Sequence, residues 1–73
     1  MQKYQNISGN SGVSYFEIGE DYIKVWFHNA KPYIYNDRRP GRLHVDKMKA
    51  LATAGQGLAT YINQYVHDDY DKA

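Results

Sequence analysis

Alternation through the middle of the chain constrains the fold most. Ile23-Lys24-Val25-Trp26-Phe27 is followed by a short gap and then Pro32-Tyr33-Ile34-Tyr35. With Asn29 and Ala30 as the central pair of a turn, Phe27 faces Pro32, Trp26 faces Tyr33, Val25 faces Ile34 and Lys24 faces Tyr35. Side chains alternate across a strand with period two, so register alone sorts them. One face is then aliphatic and carries Phe27, while the other presents Trp26, Tyr33, Tyr35 and Lys24. An aromatic, cationic face that the core does not need is a place to bind something. A slip of one residue at either hairpin turns the tyrosines inward instead. Rings of this size also serve simply to pack a small core, and both readings stand.

The preceding segment fits the same scheme. Val13 to Ile18 alternates, with Phe16 and Ile18 on one side and Val13, Tyr15 and Glu17 on the other. With Glu20 and Asp21 at the turn, Ile18 meets Ile23, Glu17 meets Lys24, Phe16 meets Val25 and Tyr15 meets Trp26. Apolar residues then meet apolar ones and unlike charges are opposed, the pairing that cross-strand energetics favours. After Tyr35 the period changes. Pro40 suits a helix start, and Leu43, Met48, Leu51 and Ala52 recur at helical spacing. Gly55-Gln56-Gly57 breaks that helix, each glycine costing about 1 kcal/mol inside one. Leu58, Tyr61, Ile62, Tyr65 and Val66 then follow the apolar stripe of a second helix. The expected fold is α+β: a three-stranded antiparallel meander packed on one face by two C-terminal helices. Residues 1–12 read as a flexible lead-in and 68–73 as a frayed tail.

At 73 residues there is room for one domain and a small core. The chain has no cysteine, which removes disulfides and thiolate ligands and fits a reducing, cytoplasmic setting. No apolar run approaches the roughly 20 residues of a membrane span. The first residues lack the apolar stretch of a signal peptide. Net charge is only +1 but unevenly spread. Residues 24–49 sum to +5, and the segments before and after them sum to −2 each. A basic middle between acidic ends steers an anionic partner, and ordinary surface scatter gives the same tally.

Ile23-x-Val25-x-Phe27, Ala30, Tyr33-x-Tyr35, Pro40-x-x-Leu43 and Tyr61-Ile62-Asn63-x-x-Val66 together resemble the KTSC domain over about residues 13–66. That short bacterial module occurs alone and at the C-terminus of some lysyl-tRNA synthetases, with a central Tyr-x-Tyr as its hallmark. This chain has Ala30 where the family usually turns on glycine. Its loop between Tyr35 and Pro40 is one residue longer, and the family's Ser-x-Gly falls on Gly57 and Ala59. The resemblance implies a binding module, and its synthetase context suggests RNA.

Aromatic rings on a sheet stack bases, each worth about 1–3 kcal/mol, which assigns Trp26, Tyr33 and Tyr35 to stacking. Lys24, Lys31, Arg38, Arg39 and Arg42 are the candidates for phosphate contacts, guanidinium offering a planar fork of donors. The same residues suit a protein interface, as in a small bacterial or phage-encoded regulator. His28, His44 and His67 lack metal-ligand spacing, and Gly55-x-Gly57 lacks the lysine of a phosphate loop. No nucleophile, base and acid set suggests itself. The expectation is a non-enzymatic binding module without metal or cofactor, taking RNA or, alternatively, a protein.

Overall fold

The computed structural model describes residues 1–7, 9, 11–28 and 31–72. Five strands run in the order β1-β2-β3-β4-β5: β1 Gln2–Lys3, β2 Val13–Ile18, β3 Tyr22–Phe27, β4 Tyr33–Asn36 and β5 Asp71–Lys72. All neighbours are antiparallel. Helix α1, Arg42–Ala54, and helix α2, Leu58–Tyr61, lie between β4 and β5 in the chain, and α2 widens into a π-helical turn at Ile62–Val66. The α+β class and the central meander match the expectation. The two short edge strands are additional, and they come from the segments read as loose.

The first hairpin has the expected register, Ile18 opposite Ile23, Glu17 opposite Lys24, Phe16 opposite Val25 and Tyr15 opposite Trp26. Its turn closes through Gly19 N–H donating to the Tyr22 carbonyl at 2.9 Å. The Tyr22 ring lies where any side chain at position 19 would stand, so glycine is required there. Beyond Tyr15 a bulge shifts the pairing, and Val13 meets Phe27. The extra residue in the ladder turns Val13 inward, away from the side it was expected to share with Tyr15 and Glu17.

The second hairpin corrects the expected register by one residue. Ile23 pairs with Tyr35, Lys24 with Ile34 and Val25 with Tyr33. Asn29 and Ala30, the expected turn pair, lie outside the described residues. A period of two means that this single step moves every side chain of β4 to the opposite face. Tyr33 and Tyr35 therefore join the core side, and Ile34 joins Lys24 and Trp26 on the other. Packing explains the choice. Tyr35 is fully buried against a layer that includes Ile23, Val45, Met48 and Leu58. Ile34 in its place would leave the wider gap under β4 unfilled.

Helix α1 buries Val45, Met48 and Ala52, an i, i+3, i+7 stripe, and ends where Gly55 adopts φ 79°. Leu43 lies about 200° around the axis from Val45, at 100° per residue, and is 86% exposed, contrary to its expected place in the stripe. The second stripe narrows to Leu58, Ile62 and Val66, and Tyr65 stands in solvent. Residues 1–12 are not loose where described. Tyr4 is buried, stacks edge-on against Phe16, and its hydroxyl accepts the Leu58 N–H at 3.3 Å. This caps α2, which has no side-chain cap of its own.

Candidate functional site

Both helices pack on the face carrying Phe16, Ile23, Val25 and Tyr35, and among the described residues no helix covers the opposite face. Register puts Lys3, Tyr15 and Trp26 in one row of that open face, Glu17, Lys24, Ile34 and Asp71 in the next, and Tyr22 with Asn36 in a third. Tyr15 is exposed; Tyr22, Lys24, Trp26 and Ile34 are half-buried by one another. The Tyr22 hydroxyl donates to Glu17 Oε2 at 3.0 Å, and Lys24 Nζ lies 5.9 Å from the Tyr22 ring centre and 3.9 Å from the same carboxylate. The hydrogen bond to Glu17, more than burial or the nearby Asp21, raises the Tyr22 phenol above its ordinary pKa and keeps it a donor.

An open depression of about 370 Å³ occupies one end of this face, bounded by Asp21, Tyr22, Lys24, Ile34, Asn36, Asp37 and Arg38. Asn36 shapes its rim. The Asn36 Oδ1 accepts the N–H groups of Arg38 and Arg39, each at 3.0 Å, and the loop closes through Gly41 N–H to the Asn36 carbonyl. Short polar side chains after a strand organise turns in this way. That was the signal in the sequence for Asn36, and the functional reading passed over it.

The eight residues expected to form one site are divided. Lys24 and Trp26 are on the open face, and Arg38 is at its rim. Tyr33 and Tyr35 are on the packed face, Tyr33 tilted against Phe27 at 5.5 Å between ring centres. Burial pushes the Tyr35 phenol well above its usual pKa, with Tyr70 and Tyr33 adding to it. Arg39 is turned to the chain's end, its Nε 3.0 Å from Asp69 Oδ1 and its Nη1 3.7 Å from Asp71 Oδ1. Arg42 pairs with Asp46 one turn along α1 at 3.7 Å. Lys31 is exposed in the β3–β4 loop. Ile34 takes the place opposite Lys24 that was expected for Tyr35.

Compared with family models, curated proteins and solved structures, the chain matches none.

What remains on the open face suits recognition. Lys3, Lys24 and Arg38 stand among Glu17, Asp21, Asp37 and Asp71, so charges of both signs surround an aromatic and aliphatic centre. Among the described residues no three His, Cys, Asp or Glu side chains gather to hold a metal ion, and no helix is long and apolar enough to cross a membrane. His44 is engaged with the Tyr61 hydroxyl at 2.8 Å, joining α1 to α2.

Proposed function

We propose that this chain is a small, non-enzymatic binding module that takes a protein partner on its open sheet face. One observation carries the choice over RNA: Lys3, Lys24 and Arg38 share that face and its rim with four carboxylates, Glu17, Asp21, Asp37 and Asp71, so the face carries no excess of positive charge. A polyanion binds through a run of unneutralised Lys and Arg, since counterion release supplies most of its affinity. Here Arg39 and Arg42 are engaged with acids elsewhere, and the two tyrosines best suited to stacking are on the packed face, Tyr35 buried and Tyr33 half-buried and stacked on Tyr70. An apolar centre with Trp and Tyr inside a rim of mixed charge is the usual composition of a protein interface. The KTSC likeness remains part of this proposal as a binding module. Its Tyr-x-Tyr hallmark, here Tyr33 and Tyr35, then acts from the packed face rather than through contact with the partner on the open face.

The test is capture from a nuclease-treated bacterial lysate on the immobilised chain, with Trp26→Ser and Leu43→Ser compared. A partner retained after nuclease by the parent chain and Leu43→Ser, lost by Trp26→Ser, and shifting the amides of Tyr15, Lys24 and Ile34 when purified supports the reading. Partners that vanish with nuclease, or amide shifts on this face with mixed single-stranded RNA, overturn it in favour of nucleic acid. A partner that Trp26→Ser still holds removes the open face from the account.

A further inference from the structure

The segment ending in β5 closes the sheet along β4. Arg39 Nε donates to Asp69 Oδ1 at 3.0 Å, and Asn36 Nδ2 donates to Asp71 Oδ2 at 3.0 Å. Between these two carboxylates the Tyr70 ring stacks on Tyr33, centroids 4.2 Å apart and planes 22° apart, with its edge toward Tyr35 at 5.8 Å. Ladder pairing sets Ile34 opposite Asp71 and Tyr33 opposite Lys72. An acidic–aromatic–acidic segment that leaves a turn at Asp69 and joins the ladder at Asp71 therefore meets a complement at each of its three positions.

The hold is shallow. Strand β5 is two residues long, and the Asp69 and Asp71 side chains are 53% and 45% exposed in their pairs with Arg39. Just upstream, His67 ends the π-helical turn with φ 30° and ψ −99°, a left-handed φ in a residue with a side chain. Beside it a cleft of about 300 Å³ runs between Phe27, Tyr33, Asn63, His67 and Tyr70, leaving the segment room to lift. A strained hinge followed by a strand held by surface contacts favours exchange of that strand between identical chains. The strain is released when the hinge straightens; the side-chain contacts of the segment are remade on the other copy, and the turn bond from Asp69 N–H to the Val66 carbonyl is given up.

We propose that Tyr33, Asn36 and Arg39 form a recognition groove for an acidic–aromatic–acidic segment, and that a second copy of this chain supplies it by exchanging residues 69–71. The groove lies along the β4 edge; Asn36 also rims the open-face depression, but Tyr33 packs on the other face and Arg39 is turned to the chain's end, and the exchange does not need the partner assigned to the open face.

The experiment uses the full chain in light scattering coupled to size exclusion, over a concentration series and after annealing. Arg39→Asp and the double variant Asp69→Arg with Asp71→Arg each mismatch their own groove. Mixed, they restore both pairings only by exchange. Expected are a dimer fraction in the parent chain that rises with concentration and a heterodimer in the mixture at tenfold or more lower concentration. A several-fold smaller dimer fraction is expected in His67→Gly, where the hinge is unstrained. A monomer throughout, in parent and mixture alike, overturns exchange, and the parent series and His67→Gly decide if a charge variant fails to fold. Amide shifts at Tyr33 and Asn36 from an acetylated Asp-Asp-Tyr-Asp-Lys peptide, with no dimer, overturn the second copy as the source.

Discussion

Tyr35 stands directly across the ladder from Ile23, and that one pairing settles which rings are inside and which remain available. In the alternative register Tyr35 would meet Lys24 and project from the open face. In the observed one its ring is fully buried between the strands and helices, and its hydroxyl has no hydrogen-bond partner among the described residues. The ring fills the core and the oxygen burdens it.

That division predicts opposite effects from two substitutions. Tyr35→Phe keeps the ring and removes a desolvated hydroxyl whose unmet bond costs about 1–3 kcal/mol, so the chain gains roughly 1 kcal/mol. Tyr35→Ala leaves a cavity and loses about 3–5 kcal/mol, the range for aromatic truncation in cores. Urea midpoints read both. Destabilisation by Tyr35→Phe would mean that the hydroxyl is partnered in solution and that this account of the core is mistaken.

The same burial predicts an alkaline transition. The Tyr35 phenol is raised above its ordinary value of 10.0 in the folded state, first by desolvation and then by Tyr70 and Tyr33. A group with a raised folded pKa stabilises the fold fully below its unfolded value, and that stabilisation is lost as pH climbs toward the folded one. Stability is therefore flat with respect to Tyr35 below pH 10.0 and falls above it. Phenolate absorbance should show Tyr35 ionising only together with unfolding. In Tyr35→Phe the slope of stability against pH above that point is shallower. An unchanged slope would rule Tyr35 out as its source.

Much of the architecture was legible because it rests on local pattern. The first hairpin carries unlike charges at Glu17 and Lys24 and apolar partners at Phe16 and Val25, so one register satisfies everything. Gly55 and Gly57 break the helices where the sequence places them. In the second hairpin Tyr33, Ile34 and Tyr35 are all aromatic or aliphatic, so polarity at these three positions excludes neither register, and Asn36 on the Ile34 face is the one polar hint. The edge strands were not legible either: Tyr4 and Tyr70 sit among polar residues, and only tertiary contact gives them a place. Arg39 and Arg42 were read as free cations because their carboxylate partners, Asp69 and Asp46, become neighbours only once the chain is folded or wound into a helix.

The N-terminal segment is therefore expected to bear on stability. The Gly55 N–H and carbonyl are both used, the carbonyl by Ile7, and a Cβ at Gly55 would stand 2.7 Å from Gln5 Cβ. Gly55→Ala costs the left-handed penalty of about 1–2 kcal/mol and, beyond it, the displacement of the arm. Gly57→Ala carries the same penalty at φ 82°, but its Cβ meets only Leu51 at an ordinary 3.5 Å. Thermal or urea unfolding should rank Gly55→Ala as the more harmful. Equal losses would mean that the arm does not pack on the turn between the helices.

Trp26 separates binding from folding. It lies on the open face opposite Tyr15, half-buried by its neighbours and outside the core cluster. Substitution by serine removes little that the helices touch, so stability should change by no more than about 1 kcal/mol, as surface positions usually do. A tryptophan at the centre of an interface, by contrast, typically carries about 2 kcal/mol or more of binding energy, roughly thirtyfold in affinity. Lys24→Ala, losing one cation at the rim of the depression, should cost less affinity and mainly alter the salt dependence of association. Calorimetric titration of the purified partner against the three chains tests the order parent, Lys24→Ala, Trp26→Ser. If Trp26→Ser unfolds the chain, the ring belongs to the fold, and Tyr15→Ser, on an exposed residue in the same row, becomes the variant that decides whether this face binds.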